Sequence, residues 1–186
     1  MRKKIIGLDL DGVLVDTVMP VLELAERNTG LKAPPGERDW YFSSCPEPLR
    51  KEIQRLFRDD AFMNNCFTFH GVVPTLVKWK DAGYNVYIIT ARTQCIRENT
   101  QVMVERMFGG LYQQLYFVEI GQSKLSLLKN LCVDVWVDDS PQGAREASEN
   151  GLTTYLIHNK YTETYNRCVI DVLPVIPIKV ISDILF

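Results

Sequence analysis

The chain has 186 residues, enough for one domain, or one domain with a modest insertion, and for a sizeable buried core. A hydrophobic fraction of 46% and a charged fraction of 24% are those of an ordinary globular protein. The formal net charge of −2 argues against general attraction to nucleic-acid backbones or acidic membranes, and no apolar run approaches the ~18 residues of a spanning helix.

In chain order, Ile5-Ile6-Gly7-Leu8 is an apolar run of the kind that forms a strand buried on both faces of a parallel sheet. Asp9 and Asp11 follow, with Gly12 behind them. Two carboxylates so close repel in a dry site, which pushes a pKa up or calls for a hard divalent cation. Gly12 permits a tight turn and brings backbone N–H groups near any anion bound there. Asp16 or Thr17 then caps a helix that holds Pro20 in its first turn and stops near Gly30. Residues 31–48 are irregular and contain Asp39-Trp40-Tyr41-Phe42. Leu49, Ile53, Leu56 and Phe57 recur at helical spacing, and Val73, Leu76 and Val77 mark a short helix closed by Ala82-Gly83.

From Tyr84 the pattern alternates between strand and helix. Tyr84–Thr90 is a second buried strand leading into Ala91-Arg92-Thr93, followed by a helix with Ile96, Met103 and Met107 on one stripe. Leu115–Glu119 is a third strand, Lys124–Asn130 a short helix, and Val133–Asp138 a fourth strand ending in Asp138-Asp139. Ser140 with Pro141 starts a helix that ends near Gly151, and Thr153–Ile157 is a fifth strand. Val169–Phe186, with Pro174 and Pro177, reads as an edge strand and a last helical turn. The expected fold is α/β: a doubly wound parallel sheet whose site lies at the carboxyl ends of its strands, with a small helical insertion after the first strand. Residues 1–16 and 83–186 form the expected core, and 17–82 the insertion.

Five cysteines (Cys45, Cys66, Cys95, Cys132, Cys168) are scattered without metal-ligand spacing and read as reduced thiols. Only two histidines, His70 and His158, are present, which argues against a zinc centre or a His-based triad. The start, Met1-Arg2-Lys3-Lys4 running straight into a strand, does not read as a signal peptide, so a cytoplasmic location is expected.

Polar residues stand where four strands or their following loops end: Asp9 and Asp11, then Thr90, then Lys124, then Asp138 with Asp139. A phosphoacceptor receiver also carries acidic residues after its first strand, a Thr and a Lys. It has no place, however, for the long helical insertion, and needs an Asp at the end of its own third strand. The joint pattern resembles the haloacid-dehalogenase-like phosphohydrolases. Asp9-Leu10-Asp11-Gly12-Val13 matches their first motif, Ile88-Ile89-Thr90 the second, Lys124 the third and Val137-Asp138-Asp139 the fourth. Lys129 also lies upstream of the acidic pair; Lys124 is preferred because it begins a helix after a strand and loop. Within that superfamily the chain is similar to the 5′(3′)-deoxyribonucleotidases, on Asp9 to Asp16, Tyr87 to Arg92, Asp138-Asp139, Lys160-Tyr161 and Tyr165-Asn166. The insertion aligns poorly, and of the expected proline-rich entry only Val73-Pro74 remains.

The resemblance implies Mg²⁺-dependent phosphomonoester hydrolysis. Asp9 would be the nucleophile and Asp11 the general acid and base. Asp9, the carbonyl of Asp11 and Asp139 would hold the metal, with Asp138 orienting Lys124 more than ligating. Thr90, Ala91, Arg92 and Lys124 would surround the phosphate, with Arg92 equally at home in a structural ion pair. Trp40, Tyr41 and Phe42 would either stack on a nucleobase or pack the insertion. The expected substrate is a small phosphorylated metabolite, a nucleoside monophosphate first, with sugar phosphates or nucleic-acid 3′ ends as the alternative. A non-catalytic phospho-ligand binder on this scaffold is disfavoured by the presence of both Asp9 and Asp11. No membrane partner and no stable nucleic-acid binding are expected, and the sequence does not fix an oligomeric state.

Overall fold

The computed structural model describes residues 3–34, 42–158 and 174–186. Its first half contains β1 (Ile5–Leu8), β2 (Val15–Asp16), α1 (Val18–Thr29), α2 (Glu47–Leu56), α3 (Asp60–Met63), β3 (Phe67–Thr68) and α4 (Val72–Asp81). Then come β4 (Asn85–Thr90), α5 (Arg97–Phe108), β5 (Gln114–Phe117), α6 (Leu125–Asn130) and β6 (Val135–Asp138). The last elements are α7 (Pro141–Glu149), β7 (Thr153–Ile157) and β8 (Ile176–Ile178), with short 3₁₀ turns at Gln94–Ile96 and Ile181–Asp183.

Six strands form one sheet in the order β5-β4-β1-β6-β7-β8, and every neighbouring pair is parallel. The parallel arrangement explains the near-continuous apolar character of β1, β4 and β6: helices cover both faces, so alternation has no solvent side to serve. It also brings the carboxyl ends of all six strands to one edge. Pro177 sits in β8 at the rim, where a missing N–H costs least. Gly7 faces Trp136 across the β1–β6 ladder, and a Cβ at Gly7 would come 2.9 Å from the indole ring. Gly7 therefore makes room for the largest fully buried side chain of the structure.

Among the described residues, two buried clusters matter most for the site. The larger joins β1, β4 and β6 to α4 and α5 through Ile6, Leu8, Ile88, Val137, Leu76, Trp79, Met103 and Phe108. The second belongs to residues 18–63: Val21, Leu22 and Ala25 of α1, Leu49, Ile53 and Leu56 of α2, and Met63, with Ile96 reaching in from beyond β4. Spacing at i, i+4 and i+7 puts Leu49, Ile53 and Leu56 on one helical stripe. β2 and β3 pair antiparallel, Val15 with Thr68 and Asp16 with Phe67, so the two ends of this helical segment lie side by side.

The structure corrects several expectations. α4 was placed in the insertion, but Val72, Leu76 and Trp79 bury it in the sheet's core, while Val73 and Val77 are 37% and 39% exposed. A 3.6-residue period presents one stripe, and the one holding the large Trp79 ring wins. The second cluster runs as far as Met63, while Cys66 and α4 pack with the sheet. Met107 is only half-buried, and Ile96 joins the second cluster instead of the α5 stripe. α1 begins after Thr17 without a side-chain cap. Ser140 does cap α7, accepting from the Gly143 N–H, with Pro141 in the first turn. Among the described residues no helix is long and apolar enough to cross a membrane.

Candidate active site

Asp9 leaves β1 with its backbone still on the ladder, its N–H donating to the Val137 carbonyl at 3.0 Å. One carboxylate oxygen accepts from the Leu10 N–H at 2.7 Å. The chain then closes a single turn, in which the Leu14 and Val15 N–H groups both donate to the Leu10 carbonyl and the Gly12 N–H donates to that of Val15. The Gly12 N–H is therefore engaged within the turn, not offered to an anion as the sequence suggested. Glycine is required here for another reason. Its φ is +78°, and a Cβ would coincide with the Asp139 carboxylate. Gly12→Ala should cost ~1–2 kcal/mol in backbone strain alone and displace Asp139. Denaturant unfolding should report the lost stability, and the thermal shift caused by divalent cations should vanish with it.

β6 delivers the second half of the site. Asp138 is fully buried, and its carboxylate accepts from Trp136 Nε1 at 3.1 Å and from the Ser140 N–H at 3.0 Å. Trp136 and Asp138 stand two apart on a strand and so share a face. A Cβ at Gly143 would strike Asp138 Oδ2, so this glycine lets the first turn of α7 approach the carboxylate. Neither Trp136 nor Gly143 was singled out from the sequence; only the i, i+2 placement of Trp136 and Asp138 could have flagged the pair. Lys124, the residue immediately before α6, sends Nζ to within 2.9 Å of Asp9 Oδ2 and 3.9 Å of Asp138 Oδ2, and 5.0 Å from the centre of the Trp136 ring. Lys129 instead bonds Asn150 on the exposed surface.

Asp9, Asp138 and Asp139 each offer a carboxylate oxygen within 4.8 Å of the others. With Lys124 as the ammonium among them, three ionised carboxylates leave a formal excess of two negative charges. Burial first, then the neighbouring Asp138 and Asp11, push the Asp9 carboxyl up to about 7 against the opposing pull of Lys124. Burial together with Asp9 and Asp138 raises Asp139 well above the ordinary carboxylate range. Burial would lower the Lys124 ammonium, but Asp138 and Asp9 more than compensate and hold it above the usual lysine range. All-oxygen donors and a formal excess of two negative charges fit a hard divalent cation, and Gly12 makes the room that the Asp139 carboxylate occupies.

These shifts set a pH dependence. Because Asp9 in the fold titrates above an unfolded aspartate, its contribution to the stability of the metal-free protein is complete below about pH 4. That contribution is lost as the pH rises through about 7, and Asp139 acts in the same direction. Cation binding needs the ionised carboxylates and so strengthens over the same interval. The rise in melting temperature produced by Mg²⁺ should therefore be larger at pH 8 than at pH 5. Equal shifts at both pH values would contradict this assignment.

On the other side of Asp9, Thr90 is buried at the end of β4, with its hydroxyl accepting from the Arg92 N–H at 3.3 Å. Ala91 is half-buried beside it. Asp11 lies outside the three-carboxylate cluster: Arg92 donates to it through Nη2 at 2.8 Å and Nε at 3.0 Å. Arg92 is thus in the structural ion pair that the sequence allowed as its alternative role, with its guanidinium engaged by Asp11, Asn64 and Thr100. Phe42 is 8% exposed, packs in the 18–63 cluster and lies 6.1 Å from the Phe57 ring, so it is core and not a stacking platform. Trp40 and Tyr41 lie outside the described residues. Burial pushes the nearby Cys66 thiol up to about 11, which leaves it unsuited to nucleophilic attack.

No family model matches the chain. A curated protein of Oceanobacillus iheyensis, "Putative nucleotidase OB0422", is 24% identical over 99 residues, 53% of either chain, so the match spans about half the length of that relative. Among solved structures, the chain is similar to "Putative haloacid dehalogenase-like hydrolase from Bacteroides fragilis", with a TM-score of 0.65 and 15% identity, covering 99% of this chain and 100% of that one. It is also similar to a haloacid-dehalogenase-family hydrolase from Deinococcus radiodurans R1 with bound phosphate and sodium, with a TM-score of 0.63 and 15% identity, covering 96% and 91%. The fold is that of the haloacid-dehalogenase-like hydrolases.

Proposed function

We propose that the protein is a divalent-cation-dependent phosphomonoesterase that works through an aspartyl phosphate on Asp9, with nucleoside monophosphates as preferred substrates. The observation that carries this reading is the separation of two adjacent acids. Asp9 faces Lys124 within the carboxylate cluster, whereas Asp11, two residues on, is held outside it by Arg92. Two acids in different environments suit two roles.

In this reading an Asp9 oxygen attacks phosphorus while the bond to the leaving oxygen breaks, and Asp11, which enters the step protonated, gives that oxygen its proton and is left as the carboxylate that Arg92 holds. Asp11 then takes a proton from the water that hydrolyses the aspartyl phosphate. Lys124 offsets negative charge on the phosphoryl oxygens and, with Asp138 behind it, is fixed in place before substrate arrives. Thr90 and the backbone of Ala91 border the position of the phosphate. Asp9, Asp139 and the Asp11 carbonyl would hold Mg²⁺, which supplies positive charge to the transferred group and keeps Asp9 ionised. The helical segment, whose described residues share the second buried cluster beside this edge, would act as a specificity cap.

The nucleotide preference is supported by the similarity to deoxyribonucleotidases and by the name of the Oceanobacillus iheyensis relative. With Phe42 buried, the stacking role falls to Trp40 and Tyr41. The test is phosphate release from nucleoside monophosphates, deoxy forms included, and from hexose phosphates and 3′-phosphorylated oligonucleotides, with Mg²⁺ and with EDTA. Nucleotides should show the highest kcat/KM, Trp40→Ala should raise their KM while sparing a small aryl phosphate, and EDTA should abolish all turnover. Preference for hexose phosphates would overturn the substrate assignment, and full activity in EDTA would overturn the metal assignment.

A further inference from the structure

We propose that Arg92 is a positioning residue that couples docking of the α3 end of the helical segment to the placement of the Asp11 carboxylate. The inference rests on the reading of Asp11 as general acid. The Arg92 side chain is 2% exposed. One edge of its guanidinium, Nε and Nη2, grips both Asp11 oxygens. The remaining nitrogen, Nη1, donates to Asn64 Oδ1 and to Thr100 Oγ1, each at 3.2 Å.

Each partner is itself oriented. Asn64 closes α3, and its Nδ2 donates to the Asp60 carbonyl and side chain at 2.8 Å, which leaves Oδ1 facing Arg92. Thr100 donates its hydroxyl proton to the Ile96 carbonyl at 2.6 Å, which leaves that oxygen as an acceptor for Arg92. The α3 turn is also tied to α5 directly: Asn99 donates to Asp60, and Arg106 Nη2 to the Asn64 carbonyl at 3.2 Å. A guanidinium is a rigid plane, so its two edges cannot move independently. When α3 is docked, Nη1 is held by the helical segment and by α5 at once, and the opposite edge sets the Asp11 carboxylate outside the carboxylate cluster. Loss of the Asn64 contact leaves Nη1 on Thr100 alone and loosens the plane that sets Asp11. Thus the helical segment and the acid read as serving the leaving group share one side chain.

A residue that merely supports the fold would slow all substrates alike. A residue that places the acid matters most where the leaving oxygen needs a proton. Phenyl phosphate and 4-nitrophenyl phosphate are nearly the same size. Phenol has a pKa of ~10, like the tyrosine side chain, whereas nitrophenolate departs readily unprotonated. The quantity to compare is kcat/KM, which excludes the later hydrolysis of the phosphoenzyme.

Asp11→Asn should lower kcat/KM for phenyl phosphate by ~10²-fold or more, and for 4-nitrophenyl phosphate far less. Asn64→Ala and Arg92→Lys should show the same selectivity at reduced size, about tenfold against phenyl phosphate. Asn64 is only half-buried and its replacement leaves the Arg92–Asp11 pair in place, so this variant carries the test if Arg92→Lys fails to fold. If Asp11→Asn discriminates between the two esters and Asn64→Ala slows both equally, or neither, the coupling is wrong while the acid assignment stands. If Asp11→Asn does not discriminate, the acid assignment falls and the coupling falls with it.

Discussion

Replacing Asp9 with asparagine should abolish turnover, by at least ~10³-fold, while the protein still folds. The amide keeps the shape of the carboxylate but cannot form an acyl phosphate. The same change relieves electrostatic stress, because Asp9 shares a dry site with Asp138 and Asp139 and its carboxyl is pushed up to about 7, chiefly by burial. The metal-free variant should therefore melt no lower than the wild type above pH 7, although Lys124 loses its nearest partner. The Mg²⁺-induced rise in melting temperature should shrink sharply, since one of the three carboxylates is gone. A variant that keeps wild-type kcat would remove Asp9 from the mechanism.

Lys124→Ala should lower kcat by ~10²–10³-fold, the range seen when one preorganised group that stabilises charge is removed from a site. It also leaves three buried carboxylates with no ammonium among them, so the metal-free protein should lose stability as well. Lys129→Ala, by contrast, removes an exposed bond to Asn150 and should stay within ~0.5 kcal/mol of wild-type stability with unchanged kinetics. Steady-state kinetics and thermal melts of the two variants side by side decide between them. The reverse outcome would mean that the lysine serving the phosphate was misplaced.

Much of the sheet was legible because its signals are local. A buried strand is an apolar run, and Gly30 or Ser140-Pro141 punctuates a helix whatever lies around it. The convergence of Asp9, Thr90, Lys124, Asp138 and Asp139 on one edge followed from strand–helix alternation, since parallel strands share a direction. What could not be read depended on partners distant in the chain. Arg92 meets an acid 81 positions away, and Asn64 reaches it from the helical segment. Gly12 looked like an anion-binding turn, yet the atom beside it belongs to Asp139. The phase of α4 is ambiguous in the sequence because Val73, Leu76 and Val77 form as good a stripe on paper as Val72, Leu76 and Trp79. Only the sheet against which α4 packs selects the second. Phe42 sits in an irregular stretch with a φ of +58°, so no periodicity announced that its ring is core.

In the proposed reaction a phosphoryl group passes through Asp9. The most direct measurement is a rapid acid quench of the enzyme turning over 4-nitrophenyl phosphate with Mg²⁺, followed by mass spectrometry of the peptide that contains Asp9. An alkali-labile phosphate should appear on that peptide during turnover and be absent from Asp9→Asn. Turnover with no phosphate on the Asp9 peptide at any quench time, or with phosphate on another residue, would contradict it.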